Sequence, residues 1–243
     1  MNEINNWTAL GVKLPAELVK AIDVYEAIRY ATVEHPPVFD LAGVNEKNAE
    51  DRINTLADEL ARAAVVGDAK RHALAAASQE VTRQAGAAVP AVITELTPAF
   101  ERSVSSFTEA VNGLPDDLTS DQLVAAGAAT VSLYLAAKEA AAHIAVVDGW
   151  LASLVDLPYY AGLPQEPCLR VTSPLNRDEL LVLLNAHQAN NVDPLVRDLN
   201  PVYVAAAKNG IAFKISDPRE QAARREQIES APVDRQRRRV TVV

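Results

Sequence analysis

The sequence predicts a mainly α-helical protein, and three observations support that fold class. Residues 45–156 carry apolar side chains at spacings of three and four, which is the period of one helix face. Hydrophobic residues form 49% of the chain but aromatic residues only 5%, a composition that suits closely packed helices. Strand-like alternation is confined to short segments after residue 158. We therefore expect a long-helix bundle or antiparallel coiled coil, then a small α+β unit and an extended C-terminal tail.

The first helix is expected to begin at Pro15, because proline already holds φ near the helical value. It should end by His35, since two prolines follow and cannot continue the hydrogen-bond ladder. Its apolar face consists of Leu18, Ile22, Tyr25 and Ile28. This helix could complete a four-helix arrangement with the segment that follows.

Three long helices are expected next. Asn45 caps the first, which runs to about Gln84 with an apolar face of Ile53, Ala57, Leu60, Ala64, Gly67, Leu74 and Val81. Pro90 opens the second and Gly113 supplies a left-handed stop, with a face of Ile93, Leu96, Phe100, Val104, Phe107 and Val111. The third starts at a capping box of Thr119 and Gln122 and runs to Pro158. Short connections between them predict an up-down-up arrangement.

The composition of the chain changes at Pro158. Four prolines interrupt the segment that begins there: Pro158, Pro164, Pro167 and Pro174. The predicted domains are an N-terminal arm and helix (1–44), the long-helix bundle (45–157), a small α+β domain (158–216), and a charged helix with a basic tail (217–243). Strands are expected at Cys168–Val171 and at Ile211–Ile215. Helices are expected to start at Asn176, Asp193, Asn200 and Asp217.

Charge and cysteine content narrow the classes of function. The net charge of −9 and the pI near 5.0 disfavour general binding to nucleic acid or to anionic membranes. The single cysteine, Cys168, excludes an intramolecular disulfide and a multi-cysteine zinc site, and we interpret it as a small, partly buried apolar residue. The first ten residues lack the pattern of a signal peptide. In the weakly polar stretch from Leu123 to Val147, three polar side chains argue against a membrane span: Lys138, Glu139 and His143. A soluble cytoplasmic protein is expected.

Catalytic motifs are absent from the sequence. It contains no phosphate-binding glycine loop, dinucleotide fingerprint, HExxH or GxSxG pattern, so we expect no enzyme and no cofactor. Two carboxylate–imidazole pairs stand out, Asp68 with His72 and Glu139 with His143, each four residues apart on a predicted helix. Such pairs bind divalent metals in some helical bundles, and they also occur as ordinary exposed pairs, which is the interpretation we favour.

The end of the sequence has the opposite charge to the rest of the chain. Its basic residues are Arg235, Arg237, Arg238 and Arg239, and β-branched side chains follow at Val240, Thr241, Val242 and Val243. Three interpretations suit such a segment: a solvated tail, a ligand for an anionic partner surface, and a contact to nucleic acid. Of these, we predict that the arginines together with Val240 and Val242 bind another protein subunit, the valines adding a strand to a sheet edge.

An acidic, alanine-rich helical body (45–156) followed by an arginine-rich segment (235–239) resembles bacteriophage scaffolding and minor virion proteins, in a composition like that of actinophages. The resemblance implies a non-enzymatic subunit of a larger oligomer, in the host cytoplasm or in the virion. The compact segment 158–216 departs from scaffolding proteins and favours a retained virion component. The alternatives are a metal-binding bundle protein or enzyme that uses the two carboxylate–imidazole pairs, and a regulator that touches nucleic acid through the tail.

Overall fold

A computed structural model describes residues 7, 10–32, 38–116, 118–190 and 192–231. The fold of these residues is mainly α-helical, with a two-stranded sheet, as the sequence predicted. The helices are α1 (Ala16–Tyr30), α2 (Ala49–Asn112), α3 (Ser120–Ala125), α4 (Ala128–Ser153), α5 (Arg177–Gln188), α6 (Pro194–Asp198), α7 (Pro201–Lys208) and α8 (Pro218–Ser230). Short 3-10 turns follow α4, at Leu154–Asp156, Pro158–Tyr160 and Pro167–Leu169.

Helix α2 corrects the prediction of two helices separated near residue 85. It is one helix of 64 residues that begins at Ala49, with Pro90 and Pro98 in its interior. The predicted cap, Asn45, accepts the amide of Lys47 through its side chain and that of Ala49 through its carbonyl, in the turn just before the helix. An interior proline costs about 3 kcal/mol because it removes a hydrogen bond and crowds the preceding turn. Burial around Pro90 opposes that cost, since Ala85 and Val89 are fully buried. The up-down-up arrangement is therefore wrong for this part of the chain.

The next predicted helix is divided in two. The side chain of Thr119 accepts a hydrogen bond from the amide of Gln122, which confirms the predicted cap. However, α3 ends after six residues, and Gly127 (φ 88°) separates it from α4. Glycine adopts this backbone conformation without the Cβ clash that other residues suffer, so the chain turns here.

Gly113 ends α2 for a different reason from the one predicted. It does not have the positive φ of a left-handed stop. A Cβ at this position would lie 2.8 Å from Cδ1 of Leu133 on α4. The glycine therefore permits a close approach of the two helices. Farther along, Leu96 and Phe100 border the same hollow as Val146 and Val147, so the last third of α2 runs antiparallel to α4, as predicted for this pair.

The residues after α4 form short helices around a small antiparallel sheet. Strand β1 (Thr172–Ser173) pairs with β2 (Ala212–Phe213), and these strands are shorter than the predicted ones; Pro167–Leu169 forms a 3-10 turn instead of a strand. The predicted caps are confirmed, because the side chains of Asn176, Asp193, Asn200 and Asp217 accept hydrogen bonds from backbone amides at the starts of their helices.

The described residues fall into two compact units. One comprises the described parts of Met1–Lys13 and Val89–Val243, and the other is Leu14–Ala88, so α2 belongs to both. This division differs from the predicted domain boundaries. In particular, residue 157 lies inside the first unit, where contacts cross it: Phe107 packs edge-on against Tyr203 with ring centroids 6.3 Å apart, and Lys138 Nζ binds Asp198 Oδ2 at 2.5 Å. We call these bodies the bundle unit and the arm unit (Leu14–Ala88).

The two units differ in how much apolar surface they bury. In the bundle unit, the predicted faces of α2 and α4 form the core, with Phe107, Ile144 and Leu151 completely buried. In the arm unit, buried apolar side chains are few: Leu18, Ala21, Ala77, Val81, Ala85 and Ala88. No residue of α2 before Ala77 is buried. The predicted apolar face of this segment is thus exposed from Ile53 to Ala64 and only half-buried at Gly67 and Leu74.

Candidate functional site

The predicted metal ligands do not form a coordination cluster. On α2, Asp68 pairs with Arg71 rather than with His72, and both partners are largely exposed. Among the residues that the structure describes, no group of three or more His, Cys, Asp or Glu side chains could hold a metal ion. A protein site for zinc normally needs three or four such ligands. The geometry therefore gives no support to a metal centre at Asp68, His72, Glu139 and His143.

Glu139 and His143 instead border an open groove between the last third of α2 and α4. The groove encloses about 540 Å³. It is lined by Ala99, Arg102, Ser103, Ser106, Ala136, Glu139, Ala140 and His143. Its polar groups are one carboxylate, one guanidinium, one imidazole and two hydroxyls, all facing solvent. Nothing in this arrangement activates a nucleophile, because no described base is hydrogen-bonded to either serine.

A partly buried polar network lies at the centre of the bundle unit. Arg170 Nε binds Asp148 Oδ1, and Tyr203 OH donates a 2.7 Å hydrogen bond to Asp148 Oδ2. The side chains of Arg170 and Asp148 are 19% and 14% exposed. Burial, and then the charge of Asp148, raise the pKa of the Tyr203 hydroxyl, which stays protonated. No local sequence pattern predicts this network, because its members are 22 to 55 residues apart. The network links α4 to α7, and we interpret its role as stabilising the fold.

Cys168 is unsuited to catalysis. Its side chain is buried and its Sγ lies 3.7 Å from the carbonyl oxygen of Leu183. Burial raises the pKa of the thiol to about 11, so the reactive thiolate is scarce at neutral pH. This agrees with the interpretation of Cys168 as a small apolar residue.

A second pocket, which the sequence did not predict, lies where α2 faces β2 and the start of α8. It encloses about 360 Å³. We call its apolar lining the floor, which ranges from the exposed Pro90 to the buried Phe100 and Ile215: Pro90, Ile93, Phe100, Phe213 and Ile215. Charged side chains stand at its rim: Glu101, Lys214, Asp217 and Glu220. Lys214 Nζ binds Glu220 Oε1 at 3.1 Å, so the rim keeps an excess of negative charge. We call this site the β2 pocket.

The arm unit carries a large share of the exposed apolar side chains. On α1 and the following loop they are Val19, Val24, Tyr30, Val38, Phe39 and Leu41, and on α2 they are Ile53, Leu60, Val65 and Val66. Scattered exposed apolar residues are ordinary, whereas contiguous exposed apolar patches are typical of interaction surfaces. Ile53 and Leu60 are 57% and 41% exposed and belong to the same predicted helix face.

Three further observations bear on function. The residues predicted to bind a partner lie outside the described residues: Arg235, Arg237, Arg238, Arg239, Val240 and Val242. Ala128–Asp156 is long and apolar enough to cross a membrane. A third of its most apolar 18-residue stretch is buried in the fold, and the core helix of a soluble protein can have the same length and composition.

Comparison of the chain with family models, with curated proteins and with solved structures finds no match.

Proposed function

We propose that this protein is a non-enzymatic structural subunit that associates with other copies of itself through the arm unit. The observation that carries the proposal is the uncovered apolar face of α2 before Ala77. Most helical stability in proteins comes from packing of an apolar face, so this part of α2, which buries no residue, would gain stability if another surface covered it. A second copy offers a surface of matching character.

The proposal extends to the kind of assembly in which this subunit takes part. The alanine-rich acidic body and the arginine-rich segment are the features shared with phage scaffolding and minor virion proteins, so we propose a component of a phage particle. The exposed groups of the groove beside His143 and the buried thiol of Cys168 give no constellation for catalysis, which favours a structural role.

The experiment compares solution masses of matched variants. The wild-type chain of 26.1 kDa should sediment as an oligomer at micromolar concentration. Leu60→Glu should shift it towards monomer by more than tenfold in association constant, because it removes about 1.5–3 kcal/mol of apolar burial and inserts a charge. Leu135→Glu, at a 59% exposed site on α4 of the bundle unit, is the control and should assemble normally. A wild-type chain that stays monomeric at all concentrations would refute the proposal.

The two alternative functions have their own tests. A metal-binding protein would purify with one zinc, iron or manganese per chain, lost in His72→Ala and His143→Ala; we expect no stoichiometric metal. A nucleic-acid-binding regulator would retard duplex DNA or RNA in a manner abolished by replacing the four arginines at 235, 237, 238 and 239. We expect no such retardation.

A further inference from the structure

We propose that the β2 pocket is the acceptor for segment Arg235–Val243 of a neighbouring copy of this chain. The inference rests on the proposed self-assembly and names the second surface through which copies join. Its first support is chemical complementarity. The segment consists of four arginines among nine residues followed by a β-branched run, and the pocket has an acidic rim above an apolar floor.

The second support is the outer edge of β2, with which no other strand of the described residues pairs. Lys214 donates its backbone amide to Val171 O at 3.0 Å, and Phe213 pairs with Thr172 in the same register. Hydrogen-bonded and non-hydrogen-bonded pairs alternate along an antiparallel ladder. The N–H and C=O of Phe213 therefore point away from β1, towards the outer edge of the sheet.

The pocket adjoins Phe213, the last residue of β2, and the residues that follow it. Three consecutive residues line it, namely Phe213, Lys214 and Ile215. Phe213 and Ile215 point to one face of the extended chain and Lys214 to the other, so a pocket that touches all three reaches beyond one face, and we infer that it borders the edge of the strand. An added strand would thus place its main chain against Phe213 and alternate side chains over the apolar floor. This is recognition by strand addition, in which main-chain hydrogen bonds bind and side-chain pockets select.

The geometry of α8 favours a neighbouring copy over the same chain. Asp217 and Glu220 stand at the start of α8, whereas the chain leaves the helix after Ser230, about 18 Å farther along at 1.5 Å per residue. Ala231 is extended (φ −62°, ψ 135°), so the chain leaves the helix without turning back at this residue. A segment from another copy needs no reversal to reach the pocket.

The first experiment measures binding of a labelled Arg235–Val243 peptide to the chain truncated after Asp234, by fluorescence anisotropy. Saturable binding is expected, and it should weaken as salt rises, since exposed charges are screened within about 10 Å at 0.1 M. Glu101→Lys in the truncated chain should weaken binding at least threefold. Glu139→Lys is the matched control, because it makes the same charge change at an exposed helix position outside the pocket, and it should bind normally.

Variants of the peptide separate charge from strand addition. Replacing its four arginines with Gln should weaken binding and remove most of the salt dependence. Neighbouring main-chain donors of a strand face opposite edges, so either Thr241→Pro or Val242→Pro should remove a bonded donor and weaken binding on the order of tenfold if the segment adds as a strand. Binding that is absent, or equal for Glu101→Lys and wild type, would overturn the acceptor site. Full affinity of both proline peptides would overturn it as well.

A second measurement separates this inference from the proposed function. Full-length protein should bind the peptide when dilute and lose that binding as copies associate and fill one another's pockets. If full-length protein fails to bind the peptide at every dilution while the truncated chain binds it, the segment occupies the pocket of its own chain. That result would overturn the neighbouring-copy proposal. If Leu60→Glu dissociates the oligomer while the peptide fails to bind the truncated chain, self-assembly through the arm unit is supported and the acceptor site is refuted.

Discussion

At the residue scale, the core of the bundle unit depends on a few large side chains. Phe107 is completely buried and packs edge-on against the rings of Tyr203 and Phe213, at 6.3 and 6.1 Å between centroids. Such contacts add about 0.5–1.5 kcal/mol to the burial of apolar area. Phe100 is also buried, about two helical turns earlier on the same face of α2. These two rings connect α2 to the elements that follow α4.

The first prediction follows from that packing. Replacing Phe107 or Phe100 with Ala should lower the free energy of unfolding by about 3–5 kcal/mol, through lost transfer energy and a residual cavity. Leu135→Ala, at an exposed position of α4, should change it by less than about 0.5 kcal/mol. Denaturant melts followed by circular dichroism measure all three. Near-neutral effects at both phenylalanines would contradict the core assignment.

The second prediction concerns the thiol of Cys168. Because burial raises its pKa from an ordinary 9.0 to about 11, native protein at pH 8 should react with a disulfide reagent far more slowly than unfolded protein. The folded state favours the neutral thiol, so this contribution to stability is complete below pH 9 and is lost as pH rises towards 11. Cys168→Ala should flatten that part of the stability profile. Equal reaction rates for native and unfolded chains would refute a buried thiol.

At the element scale, two glycines near the ends of α4 make a matched test of backbone conformation. Gly127, before the helix, has φ 88°, and Gly149, inside it, has an ordinary helical backbone; a Cβ would meet nothing within 4 Å at either site. Only conformational preference separates the two positions. Gly127 thus determines where α4 begins, while Gly149 only weakens the helix.

The third prediction uses this contrast. Gly127→Ala should destabilise the protein by about 1 kcal/mol or more, because an L-residue is strained at positive φ. Gly149→Ala should stabilise it by about 0.5–1 kcal/mol through helix propensity. Thermal melts of both variants beside wild type provide the comparison. Two changes of the same sign would mean that α3 and α4 are not joined through a glycine at positive φ.

At the scale of the whole molecule, one helix serves two units with very different burial. From Val89 onwards α2 contributes Val92, Leu96 and Phe100 to the bundle core, whereas before Ala77 it contributes no buried residue. Helical hydrogen bonds exposed to water open more readily than those under a packed core. The two parts of α2 should therefore differ in local stability although they share one backbone.

The fourth prediction is a hydrogen-exchange profile along α2. In dilute protein, amides of residues 49–76 should exchange much faster than those of residues 92–111, which serve as the internal reference. Raising the concentration should slow exchange in 49–76 selectively, because the proposed partner covers that face. Uniform protection along the helix at every concentration would argue against both the weak arm unit and its role in assembly.

Local features of this protein follow from the sequence alone. The helical class, the cap of Thr119 and the starts of the helices at Asn176, Asp193, Asn200 and Asp217 come from period and capping chemistry, which act over a few residues. The remaining features depend on tertiary packing. Pro90 lies inside α2 because buried neighbours offset its cost, and Asp148 meets Arg170 and Tyr203 across 22 and 55 residues. The β2 pocket likewise combines side chains from α2, β2 and α8 that no local pattern connects, because packing between distant segments depends on the whole fold.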